Sequence, residues 1–294
     1  MPDPQKVVIA VKACGICRSE LFEWTGARQV FPRRLGHEAT GEVVAVGHQV
    51  TRFKRGDRVT GIFLESLAEY AKADQDVVAK VPDSLSFHEA ALGEPLLCAV
   101  SGAVRTDVAL GKLVAVIGTG FMGLLAVQLL RLKGAHTLVA VDNRPEALAW
   151  AKWAGADETF SPKETPVRYL LQEPGGTGGV DISVECTGNN ESLDLAIRML
   201  DYHGLLSIVG FHQGGSRSVD VEMLNWKAAS IINAHEKRNT VRRTCLEIGM
   251  KLAAKGQINL DRLITHCYPF EDVDRAFYDL ETRRGGYVKG VVDI

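Results

Sequence analysis

Residues 113–142 read LVAVIGTGFMGLLAVQLLRLKGAHTLVAVD. Leu113–Ile117 is apolar and β-branched, the pattern of a strand buried on both faces. Gly118-x-Gly120-x-x-Gly123 follows directly, and an amphipathic run without proline then predicts a helix from Phe121 to about Lys133. Thr137–Val141 predicts a second buried strand, ending on Asp142, 24 residues after Gly118. Strand, glycine turn, helix, strand and acid therefore stand in the order of a βαβ unit that binds a dinucleotide. Gly118 permits the tight turn, Gly120 lets backbone approach a pyrophosphate, and Gly123 lets helix and strand pack closely. The helix start, at Phe121 and Met122, turns unpaired N–H groups and a positive dipole end toward the phosphates. Asp142 can accept both ribose hydroxyls of NAD and repels a 2′-phosphate. Asn143 and Arg144 follow it, and Arg144 keeps NADP open as the second choice.

Downstream, strands and helices keep alternating. Pro145–Ala154 reads as a helix, Glu158–Phe160 as a strand, Gly179–Glu185 as a strand, Ser192–Leu200 as a helix and Leu205–Val209 as a strand. This alternation predicts a doubly wound parallel sheet. Cys186-Thr187-Gly188 and Val209-Gly210 follow two of these strands. The glycine run 175–179 opens no helix and reads as a plain loop. Val241–Lys255 is helical by period, while Leu260–Tyr268 and Tyr287–Ile294 look extended.

Upstream, Val7–Ala13 and the segment 41–47 alternate like strands, and short glycine-punctuated strands continue to about Lys80. The expected division is residues 1–98 as a β-rich domain, 99–235 as the dinucleotide-binding domain and 236–294 as a return to the first. A chain of 294 residues is long enough for two cores. With 46% apolar residues, 24% charged residues and a formal net charge of −2, it offers no electrostatic footprint for nucleic acid or a membrane surface. The start MPDPQK lacks the apolar core of a signal peptide. Six scattered cysteines suggest reduced thiols in the cytoplasm rather than a disulfide framework.

Cys14-x-x-Cys17 lacks both a second cysteine pair for a zinc knuckle and a thioredoxin-like context. One thiolate with His37 and a carboxylate instead makes three protein ligands, the pattern of a catalytic zinc site with an open position. His88, His136, His203, His212, His235 and His266 have no such context and read as structural or solvated.

Gly36-His37-Glu38-x-x-Gly41, followed by Gly47 and Val50, resembles the zinc signature of the medium-chain alcohol and polyol dehydrogenases. GICRSE before it, FKRGDRV after it and the glycine-rich stretch are similar in order and approximate spacing. The resemblance implies a GroES-like catalytic domain, a Rossmann domain and a catalytic site in the cleft between them. It implies Cys17 and His37 as zinc ligands, with Glu38 as a ligand or close neighbour and Glu20 holding His37 from behind. Gly93-Glu94-Pro95-Leu96 resembles the Glu-Pro motif of polyol dehydrogenases, which makes Glu94 a further candidate ligand; Cys98, one helical turn on, reads as a core thiol. By the same resemblance Ser19 contacts the substrate oxygen, and Arg18 and Lys289 reach the pyrophosphate. The same resemblance implies that Cys186, Thr187, Val209 and Gly210 line the nicotinamide through backbone atoms.

The implied reaction is hydride transfer between a secondary alcohol (a polyol, a sugar alcohol or a related hydroxyl compound) and NAD. Alternatives are a dehydrogenase of a larger biosynthetic metabolite and a non-catalytic NAD-binding relative. Relatives suggest dimers or tetramers built by extending the Rossmann sheet. Three departures stand out. Only residues 61–67 occupy the place of the cysteine-rich lobe, so one metal per chain at most is expected. Phe22 stands where many relatives place a relay histidine. The first strands of the family pattern are missing.

Overall fold

A computed structural model describes residues 2–27, 34–171 and 174–294. Along the chain, strands β1 (Lys6–Gly15), β2 (Glu38–Val46), β3 (Arg58–Ile62), β4 (Tyr70–Asp74) and β5 (Val78–Lys80) come first, with a short helix α1 (Leu21–Trp24) after β1. Helices α2 (Phe87–Ala91) and α3 (Gly93–Thr106) follow. The alternating region comprises β6 (Leu113–Ile117), α4 (Phe121–Leu132), β7 (Thr137–Val141), α5 (Pro145–Ala154), β8 (Glu158–Phe160), β9 (Val180–Glu185), α6 (Asn190–Met199), β10 (Leu200–Ile208), α7 (Val221–Lys227) and β11 (Ser230–Asn233). The chain then continues with α8 (Asn239–Ala254), β12 (Ile264–Pro269), α9 (Val273–Thr282) and β13 (Lys289–Asp293).

Two compact units result, Met1–Cys98 with Glu236–Ile294 and Ala99–His235. In the first, β1 is the hub of a seven-stranded sheet in the order β12-β13-β1-β2-β3-β5. Its opening residues, Lys6–Ala10, pair with β4, while its last three, Ala13–Gly15, pair with β13 on that same side. Alternation explains the burial: Val7, Ile9, Val11 and Ala13 point into the core with Val43, Val59, Phe63 and Val78.

In the second unit, all strands are parallel, in the order β11-β10-β9-β6-β7-β8. Strand order reverses between β6 and β9, and ligands of such sheets bind outside the carboxyl ends of the strands at that point. The β6 and β7 runs are buried on both faces, as their unbroken apolar sequences predict. Helix α5 starts with Pro145 in its first turn and stops at Gly155, whose φ of 114° is left-handed. A doubly wound α/β unit and a β-rich unit are the architecture expected from the sequence. Among the described residues, no helix is long and apolar enough to cross a membrane.

Of the two stretches expected to be extended near the C-terminus, 287–294 is strand only over Lys289–Asp293. The first turn of the 260–268 stretch is a 3-10 turn, Asp261–Leu263, and only Ile264 onward is strand. Helices α1, α2, α7 and α9 are not among the helices that the sequence pattern predicts. Helix α9 nonetheless buries Ala276, Phe277 and Leu280 at helical spacing against Leu21, Tyr268, Tyr287 and Val292.

Candidate metal centre and dinucleotide cradle

The metal centre arises where antiparallel β1 and β2 come together at one end, with Gly15 paired opposite Glu38. Beyond Gly15 the chain makes a 3-10 turn, Arg18–Glu20, so Cys17, Ser19 and Glu20 cluster on one turn. His37 immediately precedes β2. Ligand atoms of Cys17, His37 and Glu38 all lie within 4.8 Å of one another. Two glycines make room. A Cβ on Gly15 would come within 2.1 Å of Glu38 Oε2. Gly36, at φ 97°, has the Leu67 amide nitrogen 2.4 Å from where a Cβ would sit. The short 61–67 loop thus packs directly behind His37, its Ser66 and Leu67 amides donating to the carbonyls of Gly36 and Leu35.

His37 is oriented from behind. Its Nδ1 lies 3.1 Å from Glu20 Oε1, which also accepts a hydrogen bond from the Gly36 amide at 2.6 Å. A carboxylate on one ring nitrogen fixes the tautomer and leaves Nε2 for a metal. Burial alone would pull the His37 pKa down, but hydrogen bonds to Cys17 and Glu20 and their charges outweigh it and raise it. Ser19 Oγ donates to Cys17 Sγ at 3.2 Å. Glu38 is buried, with the ammonium of Lys289 at 2.5 Å from its Oε2 as an ion pair. Oε2 is taken by that ammonium, while Oε1 has no hydrogen-bond partner among the described residues. A buried carboxylate with one oxygen left without a partner, beside a sulfur and an imidazole, is a donor set that fits a divalent, borderline-soft ion such as zinc.

The surrounding residues sort by position. Glu94, in the first turn of α3, is half-buried; burial pushes its carboxyl up, while the charge of His37 pulls it down. Glu94 is not part of the close trio, and it accepts a hydrogen bond from Cys98 Sγ at 3.4 Å. Cys14 stands apart: it is fully buried against Ser66, and burial pushes its thiol up to about 12. Arg18 is exposed on its turn, and Phe22 is 39% exposed. Lys289 is placed differently from the pyrophosphate arm implied by the family resemblance. It is buried, pairs with Glu38 and donates to the Ile16 carbonyl at 2.9 Å.

In the second unit, the glycine turn takes the expected form. Gly118 is left-handed at φ 87°, and a Cβ on Gly123 would come within 1.9 Å of the Gly118 carbonyl oxygen. No side chain caps α4 at Gly120, the residue before Phe121 and Met122 in its first turn. Asp142 is buried at the tip of β7. One of its oxygens accepts from the Thr119 amide at 2.8 Å, and Arg144 reaches both through Nε and a terminal nitrogen, each at 3.1 Å. Burial pushes the Asp142 carboxyl up, but the guanidinium of Arg144 and the amides of Thr119 and Arg144 outweigh it and hold it below the usual range. Asn143 lies between the two.

Glu185 and His212 were not recognised from sequence. Glu185 ends β9 fully buried, and it accepts hydrogen bonds from the Thr187 amide at 2.6 Å, the Thr187 hydroxyl at 2.5 Å and the Gly188 amide at 2.9 Å. His212 Nε2 lies 2.9 Å from its other oxygen. The backbone carbonyl of Glu185 accepts from the amides of Val209 and Gly210. One residue therefore pins both segments expected to line a nicotinamide, Cys186–Thr187 and Val209–Gly210. Glu185 ends β9, whose Val180, Ile182 and Val184 alternate with polar residues, whereas Asp142 directly follows the apolar run of β7.

Known proteins agree with this picture. The family described as alcohol dehydrogenase GroES-like domain matches residues 3–83, and that described as zinc-binding dehydrogenase matches residues 122–248. The chain is 31% identical to sorbitol dehydrogenase of Bacillus subtilis, covering 92% of this chain and 85% of that protein. It is 32% identical to sorbitol dehydrogenase of Gallus gallus, covering 98% and 89%. Among solved structures, a zinc-binding dehydrogenase from Sinorhizobium meliloti bound to NADP superposes with a TM-score of 0.86 at 26% identity, covering 100% of this chain and 93% of that one. With its glycine turn, its Cys17–His37–Glu38 cluster and these relatives taken together, the chain belongs to the zinc-dependent medium-chain alcohol and polyol dehydrogenase superfamily.

Proposed function

We propose that this chain oxidises a secondary alcohol of the polyol or sugar-alcohol class, with NAD as hydride acceptor and one catalytic zinc ion held by Cys17, His37 and Glu38. The convergence of those three ligand atoms, with His37 braced on Glu20, carries the reading. When bound, zinc supplies the Lewis acidity that makes an alcohol O–H easier to ionise, and the dinucleotide supplies the hydride acceptor. The protein's part is to position and to move a proton. Ser19 already donates to Cys17, and its hydroxyl can accept a proton at Oγ while passing its own on. Lys289 balances the buried charge of Glu38, and Glu94 adds a further carboxylate to the centre.

On the nucleotide side, the N-terminus of α4, which follows Gly120, receives the pyrophosphate, and Asp142 takes the adenosine ribose hydroxyls. Asp142 favours NAD, and Arg144 is the residue through which NADP would be admitted. Similarity to sorbitol dehydrogenases and the Glu94-Pro95 motif favour a polyol substrate. The outer edge of β11 ends its sheet and suits pairing with a second copy, as a dimer or tetramer. Six free thiols suit the reducing cytoplasm.

NADH formation on a panel of polyols and simple secondary alcohols, with and without a chelator, tests the proposal. Turnover on polyols that the chelator abolishes is expected. Cys17→Ala and His37→Ala should each lose turnover while NADH binding, followed by fluorescence, persists. A near-parental rate in either variant, or indifference to the chelator, overturns it.

A further inference from the structure

Away from the metal centre, three side chains from three separate elements meet on the first unit: His88 from α2, Cys267 from β12 and Asp293 from the end of β13. Asp293 Oδ1 lies 2.6 Å from His88 Nε2, and the other ring nitrogen, Nδ1, faces Cys267 Sγ at 3.9 Å. Strand register brings two of them together. β12 and β13 pair in parallel with Cys267 opposite Val291, which sets Cys267 and Asp293 on one face, two positions apart. Cys267 is exposed, and the side chains of His88 and Asp293 are 38% and 56% exposed, so ions in solution reach all three.

We propose that Cys267 and His88 form a second cation site, for a borderline-soft ion such as Zn2+, with Asp293 orienting the imidazole and water completing the shell. Three observations support it. The carboxylate on Nε2 holds the ring proton there, so Nδ1 presents its lone pair to the sulfur; carboxylate, histidine and metal in line is a recurrent ligand arrangement. With ordinary zinc–sulfur and zinc–nitrogen bonds, a sulfur–nitrogen separation of 3.9 Å subtends about 127° at the ion, and closing by about 0.3 Å gives the tetrahedral angle.

The local charge also points to a cation rather than a reactive thiol. Burial and the carboxylates of Asp293 and Asp261 push the Cys267 thiol up, against formation of a free nucleophilic thiolate. The same negative field favours an ion in the proton's place. As the sulfur–metal bond forms, the S–H proton leaves to solvent. Two protein ligands instead of three make this the looser site, an exchangeable ion in addition to the single one expected from sequence.

Maleimide labelling of Cys267 in the full chain, followed by mass spectrometry of its peptide, reads the site directly. Zn2+ on the order of micromolar should slow labelling at Cys267 about tenfold or more, and Mg2+ should not. His88→Ala should abolish the protection. Asp293→Asn, an exposed change, should raise the protecting concentration about 10–100-fold. Labelling indifferent to millimolar Zn2+, or equally protected in both variants, overturns the proposal. So does slower labelling of metal-free His88→Ala without any Zn2+ effect, which would make the trio a thiol-activating one.

Discussion

Replacing Glu20 by glutamine removes one charge behind the metal centre while keeping the side chain's shape. Glu20 Oε1 serves both the Gly36 amide, at 2.6 Å, and His37 Nδ1, at 3.1 Å. In Glu20→Gln the amide oxygen can keep both contacts, but in neutral form. Hydrogen bonds to charged groups contribute about 1.5–3 kcal/mol and neutral ones about 0.5–1.5, so the His37 bond weakens by about 1–1.5 kcal/mol. Affinity for Zn2+ should fall about tenfold, the lower end of the range for such supporting carboxylates, and Glu20→Ala about 100-fold. The pH dependence has a definite sign. Without metal, Cys17 and Glu20 raise the proton affinity of His37 against the opposing effect of burial. An ion must expel that proton, so apparent affinity climbs about tenfold per pH unit while His37 starts protonated. Glu20→Gln lowers the proton's hold on His37 as well as the metal's. Its deficit is therefore smallest at low pH and grows as pH rises. Competition against a chelator of known affinity, from about pH 6 to about pH 9, measures both trends, with turnover read at saturating Zn2+. Unchanged affinity at the alkaline end, or turnover that excess Zn2+ fails to restore, would refute this account of Glu20.

Two further outcomes follow from the second unit. Asp142→Ala should weaken NAD binding about tenfold or more and shift preference toward NADP, because it releases the Arg144 guanidinium now held on both carboxylate oxygens; fluorescence titration with NADH and NADPH checks this, and an unchanged ratio counts against it. Lys227 is fully buried and donates to the carbonyls of Ile197, Arg198 and Leu200, each at 2.8 Å, satisfying the end of α6. Lys227→Met strands those acceptors and should cost about 3–5 kcal/mol in urea unfolding, so a loss below about 1 kcal/mol would mean that water replaces the ammonium.

Local signals made the nucleotide unit readable. The β-branched runs of β6 and β7, the glycine spacing and the pairing of Pro145 with Gly155 each act over a few residues, so sequence displays them directly. Cys17 and His37 were legible for a different reason, since GICRSE and GHE resemble a family pattern. Distant meetings were not legible. His88 lies far along the chain from Cys267 and Asp293, and it meets them only through the packing of helix α2, while strand register joins the other two. Nor does sequence show which way a long side chain turns: Lys289 in β13 bends toward Glu38 and the Ile16 carbonyl, a choice made by burial and charge together. The role of Glu185 depends on hydrogen bonds to Thr187, Gly188 and His212 that form only in the fold, so its position in the sequence does not display it.

The placing of β13 beside β1 also bears on how the protein is made. The ribosome delivers Cys17, His37 and Glu38 early, then the whole of the second unit, and only afterwards Lys289 and its strand. The contiguous unit, Ala99–His235, can fold as it emerges, whereas the discontinuous one waits for its late segment. Until then Glu38 has no ammonium against it, and β1 leaves the edge at Ala13–Gly15 open. An ion whose binding draws on that ammonium is therefore fully held only once the last strand is in place.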